Sequence, residues 1–239
     1  MASPIRARHL RVASQALFLV AFFALFWGLG WTRVPGEVAS FLLALDPLTA
    51  VGTALADWTV PRWTWVGLVL LALTAVLGRF FCGWVCPLGT LQHLVSWVAG
   101  PRRLKRRIEM NRYRRWFALK YVVLAVLLTW AALGANHLGW LDPIPLLHRG
   151  VAAGVRPLWH GGLVPAGWVS FGMLAAILLL SAWMPRLFCR ALCPLGALLG
   201  LVARIGFFRR RVASSCTSCM QCASACPTGA ICEEPRQYT

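Results

Sequence analysis

The sequence predicts an all-α integral membrane protein: four transmembrane helices arranged as two parallel two-helix repeats, followed by a small cysteine-rich C-terminal segment. Three observations lead there. Of the 239 residues, 59% are hydrophobic and the mean hydropathy is +0.67, whereas an ordinary soluble domain is apolar in nearer half of its residues. Four segments meet or approach the roughly 20 apolar residues that a helix needs to cross a bilayer core. One motif is also written twice: RFFCGWVCPLGTL at 79–91 and RLFCRALCPLGAL at 186–198 are identical at eight of thirteen aligned positions.

The first apolar segment, Val12–Trp31, follows the basic stretch RARHLR. Its apolar run is longer than the roughly 7–15 residues of a signal-peptide core and no small-residue cleavage site closes it, so it is expected to stay as a helix. Trp63–Leu77 with its flanks, Trp116–Leu133 and Val164–Met184 supply the other three spans. The predicted organisation is a first membrane repeat over 1–100, a basic loop over 101–115, a second membrane repeat over 116–211 and a cysteine-rich segment over 212–239.

A net charge of +17 would suggest nucleic acid as the partner of a soluble protein. Here the positions of the charges give a simpler explanation, and no nucleic-acid partner is expected. Of the 24 Lys and Arg, only Arg33, Arg62, Arg149 and Arg156 fall outside the N-terminus, the stretch 79–120 and the region after Trp183. Because Lys and Arg concentrate on the cytoplasmic side of a membrane protein, the termini and the 79–115 loop are expected inside. The 32–62 and 135–163 connections are then outside, in a bacterial inner membrane. The run PRRLKRRIEMNRYRR at 101–115 fixes that topology and can touch anionic lipid headgroups; docking of an acidic partner is the other reading.

Each half reads helix, Leu-Asp-Pro (45–47 and 141–143), helix, then the cysteine motif. Two spans per unit give both copies one orientation, related by a pseudo-twofold axis along the membrane normal. Both cysteine pairs therefore emerge on the cytoplasmic face. Asp46 and Asp142, each before a proline, suit the cap of a short helix at the outer interface; a proton acceptor beside a quinol is the sharper alternative. Proline at a first helical turn and the extended bias of the residue before it put Cys86 and Cys193 at helix N-termini. Free N–H groups there favour a thiolate or an anionic cluster.

The strongest chemical signal is in SCTSCMQCASACPTGAIC, at 215–232. Cys216, Cys219, Cys222 and Cys226 follow C-x2-C-x2-C-x3-C-P, the ferredoxin spacing for a [4Fe–4S] cluster. Zinc sites pair two C-x2-C units at a distance, and a cytoplasmic face argues against disulfides.

With four spans, two C-x3-C-P motifs and this tail, the chain resembles the NapH-type membrane ferredoxins, over roughly residues 12–231. Those are quinol dehydrogenase subunits associated with periplasmic nitrate reduction. Similar modules occur in nitrous oxide reductase maturation regulators and in iron–sulfur proteins that assist cytochrome oxidase assembly. The resemblance implies a ferredoxin-like tail and electron transfer from the quinone pool, with quinol as donor, through cytoplasmic-side clusters to redox partner proteins such as a reductase or cytochrome subunit. An electron donor for maturation of a copper or haem enzyme is the alternative, and a redox sensor a third reading.

Relatives commonly carry two ferredoxin runs, and one is written here. Cys226 then returns to its own cluster, the second run belongs to a longer chain, or cysteines elsewhere, Cys232 among them, complete the set. For Cys82, Cys86, Cys189 and Cys193 the readings are a second cluster (or completion of the first), redox-active thiols of lowered pKa, and small buried apolar residues. Arg79 and Arg186, at matched offsets, are expected to offset the charge of such a site and to anchor each corner at the headgroups. His137, His148 and His160 are read as ordinary loop histidines. No Walker loop, dinucleotide fingerprint or nucleophile elbow occurs, so electron movement is the only chemistry expected.

Overall fold

The computed structural model describes residues 4–31, 45–57, 64–78, 80–100, 109, 114–135, 137–160, 165–206 and 217. Among these the regular structure is helical throughout, as the apolar segments require. The helices are α1 (Pro4–Trp31), α2 (Pro47–Asp57), α3 (Thr64–Leu77), α4 (Phe81–Trp84), α5 (Pro87–Ala99), α6 (Leu119–Ala132), α7 (Pro143–His160), α8 (Pro165–Trp183), α9 (Leu187–Ala191) and α10 (Pro194–Val202). Short 3-10 turns at Arg115–Ala118 and Leu138–Trp140 lead into α6 and α7.

Of the four expected spans, two meet the length and apolarity test among the described residues: His9–Trp27 and Arg115–Ala132. Thr64–Leu77 and Gly167–Trp183 are apolar but shorter. The reason for the shortfall in α3 is local. At 14 residues it is about 21 Å long, and Gly78, at φ 74, ends it with its N–H on the Thr74 carbonyl at 2.9 Å. A left-handed residue after the last turn is the usual glycine stop.

All four apolar helices nevertheless expose ridges of large apolar side chains at helical spacing. Trp65, Val69, Leu73 and Val76 form one on α3. Leu119, Val122, Val126, Trp130 and Leu133 form another along α6. Leu17, Val20 and Trp27 on α1, and Trp168, Phe171, Leu179 and Trp183 on α8, do the same. Such continuous exposed apolar area needs a non-aqueous neighbour or a partner.

Packing between the two copies is reciprocal. The helix after the first cysteine motif, α5, lies on α8 of the second copy, and its counterpart α10 lies on α3 of the first. Likewise α5 packs on α1 and α10 on α6, while α2 pairs with α3 and α7 with α8. The main core runs through these contacts, with Leu48, Phe81, Leu88, Leu138, Leu146, Leu147, Phe188, Leu195 and Leu199 at its centre.

The region 135–163, expected as an external connection, holds α7, a helix of 18 residues. His148 is therefore helical and exposed, its ring edge-on to Phe26 of α1 at 5.2 Å. His137 stacks edge-on to Trp130. Most of the basic loop, Arg79, and Cys216, Cys219, Cys222, Cys226 and Cys232 lie outside the described residues.

Candidate metal centre

The two cysteine motifs fold almost identically. In each, a short helix carries the first cysteine, the second is its successor's N-cap, and proline opens the next helix. Cys86 has φ −63 and ψ 115, and Cys193 φ −65 and ψ 112, the extended geometry that a following proline imposes. Cys193 Sγ accepts from the Gly196 N–H at 3.3 Å.

The repeated Leu-Gly has a steric cause. A Cβ on Gly89 would stand 3.0 Å from the Cys82 carbonyl oxygen, and one on Gly196 would stand 3.2 Å from that of Cys189. Glycine lets the first turn of α5 or α10 lie against the carbonyl end of the preceding short helix. Leu88 and Leu195, beside them, are buried core residues.

These corners are tied to the rest of the bundle by polar contacts between helices, which hold where apolar packing alone would slide. Ser14 Oγ donates to the Trp84 carbonyl at 3.0 Å and Gln15 Nε2 to the Gly83 carbonyl at 2.7 Å. Across the copies, Ser96 Oγ donates to the Ser181 carbonyl at 2.7 Å.

Cys82, Cys86, Cys189 and Cys193, from two segments about a hundred residues apart, converge closely enough for their charges to act on one another. Cys86 and Cys193 are buried and Cys82 and Cys189 half-buried. The expectation of thiols with lowered pKa fails. Burial pushes Cys86 and Cys193 well above the usual thiol range and Cys189 up to about 12, and the N–H groups of Gly89 and Gly196 only partly offset this. The N-terminal position is as expected, but the apolar surroundings outweigh it.

Among the described residues no three His, Cys, Asp or Glu close on one point as the ligands of a single ion do. A cubane takes a different donor set, one thiolate at each of four separated iron corners. Four cysteines are the right number, and a positive group stands beside them. Arg186 is buried, 3% exposed, and its Nε and Nη2 have no hydrogen-bond partner. Its charge acts on Cys189 and Cys86. Arg186 therefore does not anchor the corner at the headgroups: the chain turns inward at this residue, the one non-glycine with positive φ (54°) among those described.

Sequence reasoning missed Gln92. It is fully buried on α5, and its Oε1 accepts from Cys189 Sγ at 3.4 Å. The repeat offers the signal: position 92 aligns with Leu199, so one copy places an amide where the other places a hydrocarbon.

Asp46 and Asp142 also depart from expectation. Asp46 Oδ1 caps α2 by accepting from the Leu48 N–H at 2.9 Å, as the Asp-Pro spacing predicts. Both residues, however, are 0% exposed inside the bundle instead of lining the outer interface, and their carboxyls face each other. Asp46 Oδ2 and both Asp142 oxygens receive no protein donor. The two can satisfy each other only with a proton between them. Burial pushes both carboxyls up in pKa, Asp142 further because Asp46 faces it.

Comparison with known proteins agrees with the cysteine chemistry. A family described as "4Fe-4S binding domain" matches residues 59–109 and 166–213, the segments that carry the two corners. A second family of the same description matches 211–232, the tail. The methylamine utilization ferredoxin-type protein MauN of Paracoccus denitrificans is 29% identical over 225 residues, spanning 92% of this chain and 74% of that protein. MauN of Methylorubrum extorquens is 26% identical, spanning 97% of this chain and 75% of its own. The ferredoxin-type protein NapH of Haemophilus influenzae is 26% identical across 80% of this chain and 62% of its own. No solved structure matches the chain.

Proposed function

Since this chain belongs to the NapH-type ferredoxin family of iron–sulfur electron-transfer proteins, we propose that it is a four-span membrane electron carrier fed by the quinol pool. The spans are 12–31, 63–77, 116–133 and 164–184, with both termini and both cysteine corners cytoplasmic. Exposed apolar ridges on all four helices support this reading, as does the clustering of Lys and Arg.

Cys82, Cys86, Cys189 and Cys193 hold one [4Fe–4S] cluster, and Cys216, Cys219, Cys222 and Cys226 hold another. The observation that carries this is the convergence of four cysteines from the two copies beside the buried Arg186, whose Nε and Nη2 have no partner. A [4Fe–4S] cluster supplies one-electron transfer at a potential that its surroundings set. The chain's own part is to hold four thiolates in register through the paired corners, exclude water from Cys86 and Cys193, and place Arg186 against the negative charge. Electrons then leave to a redox partner protein. A periplasmic reductase system is the partner the NapH likeness supports, while the likeness to MauN along most of the chain favours a partner in methylamine utilization.

The test is anaerobic purification of the full chain with iron and sulfide analysis, on wild type, on Cys86→Ser/Cys193→Ser and on Cys219→Ser. Wild type should hold two clusters, about eight iron in all. Each variant should lose one cluster, and the corner variant should also lose quinol-dependent reduction in proteoliposomes. Wild-type iron content and electron flow in the corner variant would leave the repeat a purely structural device.

A further inference from the structure

Three buried donor nitrogens beside the four cysteines have no acceptor. Gln92 Nε2 is enclosed and unpartnered while Oε1 of the same amide accepts from Cys189. Arg186 leaves Nε and Nη2 unpartnered while 3% exposed. Folded proteins rarely bury donors unused, because the lost hydration is not returned. Packing does not explain the amide either, since Leu199 fills the equivalent slot of the other copy with equal burial.

We propose that Gln92 and Arg186 are hydrogen-bond donors reserved for the anionic four-cysteine centre, Gln92 donating to the Cys189 sulfur, and that together they raise its reduction potential. The assignment rests on the cluster reading above. As a thiol, Cys189 donates its S–H to Gln92 Oε1. A metal-bound thiolate has lost that proton to solvent and can only accept. A half-turn of the Gln92 amide about its last side-chain bond then brings Nε2 to the sulfur without moving α5. Arg186, three residues before Cys189, adds two donor nitrogens, Nε and Nη2, and a full positive charge. Donors and positive charge favour the more negative, reduced form, so both groups act as potential-setting neighbours and not as ligands. Because Gln92 is matched by Leu199 in the other copy, whereas Arg186 is matched by Arg79, it is the amide that breaks the two-fold equivalence of the corners, at Cys189.

The full chain, purified anaerobically, should be assayed for iron and titrated with spectroscopic detection of each cluster. Gln92→Leu copies the side chain its twin position already accepts, and Arg186→Gln removes the charge while keeping a polar side chain. Both should retain two clusters. One midpoint should fall by a tenfold loss in its reduction equilibrium constant, about 59 mV for a one-electron couple, while the other stays fixed; Arg186→Lys should shift it less than Arg186→Gln. Should Gln92→Leu load poorly, the two Arg186 variants decide by the same rule. Two clusters with both midpoints unmoved would overturn the donor assignment and leave the cluster reading standing. A single cluster in wild type would overturn the cluster reading, and this assignment with it.

Discussion

Replacing Asp142 tests the most unexpected contact in the molecule. Asp142→Ala leaves Asp46 Oδ2 fully buried beside an empty space, with no donor in reach. An unsatisfied buried oxygen costs about 1–3 kcal/mol, and more if Asp46 then ionises without a partner. Asp142→Asn keeps the volume and supplies an N–H to that oxygen, so its cost should stay within about 1 kcal/mol. The two variants should therefore differ by about 2 kcal/mol, roughly 4–8 °C in Tm for a chain of this size.

The pH dependence gives the same reading a second edge. Both native carboxyls titrate above their ordinary value because of burial, so above a pH of about 4 the folded chain holds a proton that the unfolded chain has released. Stability from the pair is complete below the ordinary carboxylate range and declines as pH rises through the raised native one. Asp142→Asn should flatten that decline. The assay is thermal unfolding followed by tryptophan fluorescence in detergent, from pH 5 to pH 9. If Asp142→Ala is as stable as Asp142→Asn, or if wild type and Asp142→Asn share one pH profile, no proton is shared.

Gly196→Ala and Gly89→Ala should each destabilise by about 1–3 kcal/mol, because the new methyl meets a backbone carbonyl at 3.2 or 3.0 Å; reduced iron loading per protein, measured after anaerobic purification, reports the distorted corner. Gln15→Leu removes the 2.7 Å bond from α1 to the Gly83 carbonyl and should cost about 1–3 kcal/mol, read as a lower Tm with iron content per folded protein unchanged. For topology, a reporter active only in the cytoplasm should be active when fused after Thr239 and silent when inserted after Gly162; activity at Gly162 would overturn the four-span orientation.

The sequence by itself determined the local and the compositional. Spacing marked the tail cysteines as candidate cluster ligands, because a ferredoxin run is read from one short segment, and the family match over 211–232 covers that segment. Cys-Pro determined that Cys86 and Cys193 cap helices, since a proline restricts its predecessor wherever it stands. The repeated order of helix, Leu-Asp-Pro, helix and cysteine motif pointed to both corners lying together, and their four cysteines do converge. What tertiary structure decided is who meets whom across it: Asp46 with Asp142, Gln92 with Cys189, and Arg186 with Cys86, each pair well separated in the chain. Those meetings also reversed two local expectations, because Arg186 turned inward from the headgroups and the thiols rose in pKa instead of falling. Local preference depends on neighbours in the chain, whereas burial and pairing depend on which surfaces the folded helices bring together, and a desolvated charge or proton responds to those surroundings far more strongly than to its own helix end.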